Sequence, residues 1–320
     1  MNAIVFKQTG NWLDVLQSSR VTIDNPLPDE VRVRIYARPI NPADEMFIQG
    51  VYRYKPELPQ VAGLEGAGII ESCGSDVDPS LVGKKISFRA RGTWTDRINL
   101  KKNQFKIIPE EIPFEVSCQL SLNTLTAFAL LEEAKVSTGD WMVVTAAFSS
   151  VGQQLIQMAR VNGIHVIAIV RKDEQKKHLQ LLGAHTVINS EKEEILQTIR
   201  DVAQNGINAC VDAVGGKIGS LMYKVLALKA NVIIYGRLSS EPVSFHNADI
   251  IYKNATIKGF GIDAWMNGKT ETELNSIWET ILQWIQNQKL TVHYDKKYEL
   301  NEVLNAIKDY KDTSSRIILM

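Results

Sequence analysis

The stretch from Trp141 to Lys172 constrains the fold of this chain more than any other part of it. A short apolar run is followed by a turn of small residues, by apolar residues at helical spacing, and by a second run rich in β-branched residues. We interpret this order as strand, turn, helix and strand. Two buried parallel strands joined by a helix form the first unit of a dinucleotide-binding fold, so the stretch predicts a doubly wound parallel sheet.

The turn inside this unit, Ala147–Gly152, has the composition of a phosphate-binding turn. A pyrophosphate binds at a helix N-terminus, where free backbone N–H groups and the helix dipole favour negative charge, and small side chains let it approach. The turn lacks the full G-x-G-x-x-G pattern, because Phe148 and two serines occupy its middle. On the turn alone, a plain strand–helix–strand crossover is as good an interpretation as a nucleotide site.

The end of the second strand favours the nucleotide interpretation and indicates which nucleotide binds. Arg171 and Lys172 stand there, and Arg171 follows Gly152 by 19 residues. NAD-dependent proteins carry a carboxylate near this point for the ribose 2′-hydroxyl, and that carboxylate would repel a 2′-phosphate. A guanidinium instead pairs with a phosphate through two hydrogen bonds. A solvated charge at a strand end is the alternative, but after the preceding unit we favour NADPH as the cofactor.

Charge and cysteine content exclude several classes of protein. The 320 residues carry 36 basic and 36 acidic side chains, so no general basic field attracts nucleic acid or an anionic membrane. No apolar run approaches membrane-spanning length, and the N-terminus has no signal-peptide pattern. Three widely separated cysteines indicate reduced thiols rather than disulfides. We therefore expect a cytoplasmic protein; a mitochondrial-matrix protein without its presequence is the alternative.

The rest of the chain shows two kinds of secondary-structure pattern. Short strand-like runs and most of the prolines lie in residues 1–117, which predicts a β-rich domain that includes a strand over Trp94–Asn99. Helical and strand-like runs alternate over residues 118–260, as in an α/β domain with a parallel sheet. We expect residues 261–320 to return to the β-rich domain, including the amphipathic helical run Thr272–Gln286.

Two further strand ends lie on the predicted nucleotide side of the sheet. Asp212–Gly216 and Tyr235–Leu238 each follow a strand-like run, and ligands of such folds bind beyond the carboxyl ends of the strands. Between them, Lys217–Leu228 predicts a helix. Asn254–Phe260 predicts a strand at the edge of the sheet, where unpaired backbone groups invite a partner strand.

Short motifs along the whole chain form a joint pattern. They are Asn41–Asp44, Ile48–Tyr52, Pro56–Pro59, Gly92–Trp94, Asn123–Ala127, Ala147–Gly152, Val170–Arg171, Val214–Lys217, Ile257–Trp265 and Ser315–Met320. This pattern resembles the zinc-independent medium-chain dehydrogenase/reductases, the group that contains NADPH:quinone oxidoreductases, and within it most closely the mitochondrial-type 2-enoyl thioester reductases. The resemblance implies a doubly wound Rossmann sheet inserted in a β-rich, GroES-like catalytic domain. It also implies a homodimer that joins two sheets at their edge strands.

The resemblance implies roles for individual residues as well. Tyr52 would supply or position a proton, Asn41 and Asn123 would be polar groups beside the nicotinamide or the substrate, and Trp94 and Trp265 would wall an aromatic pocket. The simpler interpretations stay open: a loop tyrosine, asparagines that cap helices or turns, and tryptophans of the core. The cofactor contacts expected from the patterns and the resemblance together are Asn123, Phe148, Ser149, Ser150, Val151, Arg171, Lys172, Tyr235, Gly236, Arg237, Leu238, Phe260, Gly261, Ile262 and Arg316.

The chain departs from the resembled pattern, and from the zinc enzymes of the same superfamily, at several positions. Zinc enzymes of the superfamily place cysteine and histidine around their metal, where this chain has Asn41 and Leu64. Leucine cannot ligate zinc and the five histidines are scattered, so we expect no metal. Phe148 and Ser150 stand where the resembled pattern has asparagine and glycine, and Arg53 where glycine is common.

Three functions agree with these observations. The first is NADPH-dependent reduction of an activated C=C bond, with a 2-enoyl thioester as the favoured acceptor; hydride addition leaves an enolate that needs hydrogen-bond donors and an acid at the α-carbon. The second is NADPH:quinone reduction, which needs little beyond the cofactor and an apolar slot. The third is NADPH binding without catalysis. Tyr52 distinguishes the first function from the second, and turnover with any acceptor separates both from the third.

Overall fold

The computed structural model describes residues 1–313 and 315–320. The strands are β1 (Asn2–Phe6), β2 (Gln17–Arg20), β3 (Glu30–Pro39), β4 (Gln60–Val61), β5 (Glu65–Cys73), β6 (Lys85–Arg89), β7 (Arg97–Lys101), β8 (Phe105–Ile107), β9 (Trp141–Val144), β10 (His165–Val170), β11 (Thr186–Asn189), β12 (Ile207–Asp212), β13 (Leu226–Ile234), β14 (Thr256–Gly259), β15 (Lys296–Tyr298) and β16 (Ile317–Leu319). The α-helices are α1 (Trp12–Val15), α2 (Pro42–Ile48), α3 (Phe114–Ser117), α4 (Leu125–Ala134), α5 (Ser150–Val161), α6 (Lys176–Leu182), α7 (Ile195–Val202), α8 (Gly216–Met222), α9 (Asn247–Ile251), α10 (Ile262–Asn267), α11 (Glu271–Gln286) and α12 (Val303–Thr313). Within those residues, no helix has both the length and the apolar character needed to cross a membrane.

The chain divides into two compact units. The first unit contains Met1–Leu122 and Val292–Met320, and the second contains Asn123–Thr291. In the described part of the second unit, six strands form one parallel sheet in the order β11-β10-β9-β12-β13-β14. The chain starts in the middle of this sheet, builds outward to β11, and returns to β12 on the other side of β9, which is the order of a doubly wound nucleotide-binding sheet. The predicted Rossmann sheet is therefore confirmed.

The first unit is β-rich, as its strand-like runs predict. One sheet runs in the order β15-β16-β3-β5-β6-β8, with β7 paired to β3, and a smaller sheet contains β2, β1 and β4. Val31, Val33 and Ile35 of β3 are buried and alternate with more exposed arginines, so the period of two fixes which face meets the core.

The predicted domain boundary after residue 260 is wrong. Helices α10 and α11 belong to the second unit, and the chain rejoins the first unit only at Val292. The reason is the partner that these helices find on α4: Trp265 Nε1 donates to the Glu132 carboxylate at 2.8 Å, and the rings of Trp284 and Phe128 lie 5.9 Å apart. The first boundary, predicted at residue 118, falls at residue 123 inside a π-helical turn.

Two predicted elements have different bounds in the structure. The helix predicted over Lys217–Leu228 ends at Met222, because β13 already begins at Leu226. The strand predicted over Trp94–Asn99 begins only at Arg97. Its first residue pairs elsewhere: the backbone of Trp94 accepts from the N–H of Ile4 at 2.9 Å and donates to the carbonyl of Ala62 at 2.8 Å.

Candidate nucleotide site and catalytic residues

The turn between β9 and α5 has the geometry of a phosphate-binding turn. Ser149 is the N-cap of α5, and its Oγ accepts the N–H of Gly152 at 3.1 Å. The N–H groups of Ser150 and Val151 belong to the first turn of the helix, which has no intrahelical acceptors, so they are available to an anion. A Cβ on Gly152 would lie 2.6 Å from the carbonyl oxygen of Ala147, so only glycine lets the helix meet the turn this closely.

Gln153 and His178, which sequence analysis did not identify, support this turn through hydrogen bonds and a ring contact. Gln153 is buried, and its Nε2 donates to the carbonyl of Phe148 at 2.7 Å. Its Oε1 lies 2.9 Å from Nε2 of His178, and because an amide oxygen only accepts, this ring nitrogen carries the proton. The rings of His178 and Phe148 meet edge to face at 5.7 Å. No sequence motif marks Gln153 or His178, since their roles depend on contacts between α5 and α6.

The side chain of Asp212 orders the loop after β12. This strand is the neighbour of β9, which leads into the phosphate turn. Asp212 Oδ1 accepts from the hydroxyl of Thr145 at 2.6 Å and from the N–H of Val214 at 2.9 Å. The N–H of Gly215 lies 3.1 Å from Oδ2. Since β9 and β12 are neighbours at the point where the strand order reverses, this loop and the phosphate turn lie at the place where such sheets bind nucleotides. Sequence analysis located the loop but did not single out Asp212 or Thr145.

Tyr235 is brought to the phosphate turn by β13. Burial raises the pKa of its phenol, and a hydrogen bond to the side chain of Ser149 opposes that rise. Gly236 follows, where a Cβ would lie 2.6 Å from the carbonyl oxygen of Ala213. The next two predicted cofactor contacts, Arg237 and Leu238, are exposed.

The end of β10 presents positive charge to solvent. Arg171 and Lys172 are exposed, and neither forms an ion pair with another described residue. The carboxylate of Asp173 is already engaged: it accepts from Lys192 Nζ at 2.7 Å and from Asn189 Nδ2 at 2.8 Å. These hydrogen bonds hold the pKa of Asp173 below its ordinary value. The acid that directly follows the basic pair is therefore paired with other residues, which leaves Arg171 and Lys172 available to a phosphate.

Tyr52 lies in the loop after α2, in the first unit. It is half-buried against the core cluster that contains Phe47, and its N–H donates to the carbonyl of Met46 at 3.0 Å. The rings of Tyr52 and Tyr54 meet edge to face at 6.0 Å, and the guanidinium of Arg53 lies 5.6 Å from the Tyr52 ring. These contacts hold the ring in place; the catalytic role of its hydroxyl stays a prediction.

Asn41 is held by two buried carboxylates of the first unit. It is the N-cap of α2: its backbone N–H donates to Asp44 Oδ2 at 2.7 Å, and its Nδ2 donates to Glu65 Oε2 at 3.3 Å. Glu65 also accepts the N–H of Leu122 at 2.5 Å. Burial raises the pKa of Asp44 to about 7 and that of Glu65 to about 8. This arrangement favours a structural role for Asn41, whose backbone lies at the N-cap of α2 and whose side chain binds Glu65.

The two tryptophans predicted to wall a pocket differ in the structure. Trp94 is 0% exposed and packs among other side chains in the core of the first unit, which favours the core interpretation of this residue. Trp265 lines a cavity of about 290 Å³ in the second unit, together with Phe260 and Gly261, while Ile262 beside them is buried.

The remaining predicted residues have different surroundings. Asn123 is buried in the π-helical turn at the start of the second unit. Arg316 lies in the first unit, where its guanidinium pairs with Asp295 through contacts of 3.0 and 2.8 Å, which favours a structural role. Among residues 1–313 and 315–320, no three His, Cys, Asp or Glu side chains are grouped so that they could hold a metal ion.

Comparisons with known proteins agree with this architecture. Residues 27–106 match the model of the alcohol dehydrogenase GroES-like domain, and residues 150–286 match that of zinc-binding dehydrogenases. The mitochondrial enoyl-[acyl-carrier-protein] reductase of Xenopus tropicalis is 30% identical over 319 residues, covering 96% of this chain and 91% of that protein.

Solved structures of quinone and enoyl thioester reductases are similar to this chain over its whole length. A Bacillus thuringiensis protein assigned as an NADPH:quinone reductase superposes with a TM-score of 0.93 at 26% identity, covering 100% of this chain and 98% of its own. The mitochondrial 2-enoyl thioester reductase heterodimer of Candida tropicalis gives 0.89 at 25% identity, with coverages of 100% and 99%.

Proposed function

The chain belongs to the medium-chain dehydrogenase/reductase family, and from that premise we propose that it is an NADPH-dependent reductase of the C=C bond of 2-enoyl thioesters. The observation that carries the proposal is the phosphate turn at the reversal point of the sheet, with an uncompensated basic pair at the end of the next strand. The 30% identity to an enoyl-[acyl-carrier-protein] reductase over 96% of the chain supports the enoyl acceptor.

The residues present fit a dinucleotide phosphate. The first-turn N–H groups of Ser150 and Val151 would hold the pyrophosphate, and the absence of a side chain at Gly152 keeps the turn tight enough for this. Arg171, aided by Lys172, would pair with the 2′-phosphate. When bound, NADPH supplies the hydride.

The protein must then supply a proton and stabilise negative charge. Hydride addition to the β-carbon of an enoyl thioester leaves an enolate, whose α-carbon needs a proton from a positioned donor. We assign this task to Tyr52, whose ring is held by Tyr54 and Arg53. A quinone needs no such donor, because its oxygens take protons from water.

The test replaces Tyr52 by phenylalanine and measures NADPH oxidation with crotonyl-CoA, a longer enoyl-CoA and a simple quinone. Loss of a positioned acid typically lowers the rate by ~10²–10⁴, so we expect Tyr52→Phe to reduce enoyl turnover by roughly two orders of magnitude. Quinone turnover and NADPH binding should change little, since the ring is retained. Tyr54→Phe is the matched control, because this neighbouring tyrosine is exposed and should leave both rates unchanged.

Other outcomes assign other functions. An unchanged enoyl rate in Tyr52→Phe removes this residue from the mechanism. Brisk quinone turnover without any enoyl turnover in the unmodified protein favours the quinone reductase, which the likeness to the Bacillus thuringiensis protein supports. If the protein binds NADPH tightly but turns over none of these acceptors, its function is NADPH binding without catalysis.

The compartment is part of the same proposal. Three unpaired cysteines support a reducing compartment, and we propose the cytoplasm. The relatives named above as enoyl reductases are mitochondrial proteins, so a mitochondrial location is the competing assignment. Subcellular fractionation with an antibody against the native protein decides between them.

A further inference from the structure

A cavity of the first unit is lined by more basic than acidic side chains. Its volume is about 390 Å³, and three of its lining residues are arginines. The lining residues are Arg34, Ile35, Tyr36, Arg38, Asp96, Arg97 and Met320. None of them belongs to the nucleotide site or to the loop of Tyr52.

Arg38 is the unusual member of this group. It is 2% exposed, so its charge is removed from water. Its Nε donates to the carbonyl of Thr93 at 3.3 Å and its Nη2 to that of Thr95 at 2.5 Å, but Nη1 is buried and finds no hydrogen-bond partner among the described residues. Burial lowers the pKa of Arg38 to about 10, and the charge of Asp96 opposes this. A buried guanidinium with an unused donor costs free energy that a bound anion would recover.

A β-bulge explains how an arginine of a surface strand reaches this position. Strand β3 alternates up to Ile35, but its register against β5 shifts between Ile35 and Ala37. Tyr36 is the extra residue; the alternation continues to Ala37 and ends at Arg38, where two consecutive residues are buried. Bulges of this kind commonly re-aim a side chain towards a functional site.

The other two arginines add charge at the rim of the cavity. Arg34 of β3 lies directly opposite Arg97 of β7, and like charges in that relation destabilise a sheet. Arg97 is compensated by Glu71 through contacts of 2.7 and 3.1 Å, whereas Arg34 forms no ion pair with the described residues. Asp96 is the one acidic side chain of the lining, and the charge of Glu299 also acts on Arg38.

We propose that this cavity is a binding site for a phosphate monoester of a small molecule, held by the guanidinium groups of Arg38 and Arg34. Guanidinium groups match the oxygens of a phosphate with parallel hydrogen bonds. A dianion gains more from two cationic groups than a carboxylate does. The volume lies within the range of small-molecule sites and exceeds what a bare phosphate fills, so an organic group has room beside Tyr36.

The experiment is calorimetric titration of the full chain with phenyl phosphate, inorganic phosphate and benzoate. We expect saturable binding of phenyl phosphate at one site outside the nucleotide site, tighter than that of the other two ligands. Arg34→Met should weaken it about tenfold, since one charge-assisted contact is lost. Asp96→Asn should strengthen it about threefold, because a competing negative charge is removed while an acceptor for the N–H of Asn2 remains.

Two controls separate this site from others. Arg20→Met removes an exposed arginine of β2, outside the cavity, and should leave binding unchanged. Arg171→Ala should also leave it unchanged, so failure of the nucleotide assignment does not affect this test.

Arg38→Met should abolish binding, but it also removes the hydrogen-bond donor of the Thr93 and Thr95 carbonyls and could unfold the unit. The opposite effects of Arg34→Met and Asp96→Asn do not depend on that variant.

Three results overturn the proposal. Binding that Arg171→Ala removes and Arg34→Met leaves intact belongs to the nucleotide site. Benzoate binding tighter than phenyl phosphate, with the same response to the variants, makes this a carboxylate site. Absence of saturable binding at millimolar concentrations of each ligand means that Arg38 serves only the backbone of Thr93 and Thr95.

Discussion

Arg171 is the residue on which the choice of cofactor depends. It is exposed at the end of β10, and the nearby acid Asp173 is engaged by Lys192 and Asn189. A charge-assisted hydrogen bond contributes about 1.5–3 kcal/mol, so Arg171→Ala should weaken NADPH binding roughly ten- to hundredfold and leave NADH binding nearly unchanged. Fluorescence titration with both nucleotides measures this. Arg200→Ala, an exposed arginine of α7, is the control. Equal affinity of the unmodified protein for NADH and NADPH would contradict the assignment.

Glu65 and Asp44 make the stability of the fold depend on pH. Burial raises their pKa values in the folded state to about 8 and about 7, above those of exposed carboxyl groups. The folded state therefore holds protons that the unfolded chain releases, so their stabilising contribution is complete at pH about 4 and is lost as pH rises through 7 and 8.

Thermal unfolding measured from pH 5 to pH 9 tests this dependence. We expect Glu65→Gln, which keeps the shape and an acceptor for the N–H of Leu122, to flatten the fall in melting temperature above pH 6. Glu279→Gln is the control, because Glu279 is exposed on α11. The same slope in Glu65→Gln and in the unmodified protein would show that this carboxyl group is not the source.

Individual residues also show what sequence can reveal about a site. The position of Ser149 and Val151 at a helix N-terminus could be predicted, because a tight turn depends on local chain geometry, which the small residues indicate. Trp94 and Trp265 look alike in sequence, but one is enclosed by core side chains and the other meets a cavity beside Glu132. Trp265 and its partner Glu132 are far apart in the sequence, so no local sequence pattern predicts their contact.

Secondary-structure elements were easier to predict than the unit that each one joins. The period of α11 indicates that one of its faces is buried, and the helix occurs almost where the pattern predicts it. The same period says nothing about which surface covers that face, and the helix found its partner in Phe128 of α4 rather than in the β-rich unit. The sheet order was predictable because the alternation of strands and helices permits few topologies.

At the scale of the whole molecule, the match to zinc-binding dehydrogenases raises the question of a metal. The buried position next to Glu65 is filled by Leu64, and Asn41 uses its amide to bind that glutamate. We expect dialysis against a strong chelator to leave both the melting temperature and NADPH-dependent turnover unchanged. Elemental analysis of the purified protein is the accompanying measurement. Stoichiometric zinc, with loss of activity when it is removed, would contradict this expectation.

Assembly is the remaining property of the whole molecule, and we propose a homodimer that forms at the open edge of the parallel sheet. Strand β14 ends the sheet, and every one of its residues is exposed. Large apolar side chains in the neighbouring segments are also uncovered: Leu228 is 65% exposed, Ile251 67% and Tyr252 79%. An exposed edge strand flanked by apolar surface favours pairing with another strand, and a second copy of the same edge covers it symmetrically.

Light scattering after gel filtration at micromolar concentration should therefore give twice the mass of the chain. Leu228→Lys combined with Tyr252→Lys should give the monomer, because the two copies would bring buried like charges together. Leu181→Lys is the matched control, since Leu181 is 72% exposed on α6 and belongs to no edge strand. A monomeric mass for the unmodified protein, or a dimer that survives the double substitution, would place the contact elsewhere or remove it. If the monomeric variant still binds NADPH, the nucleotide-binding unit of one copy does not need the other copy of the chain for this binding.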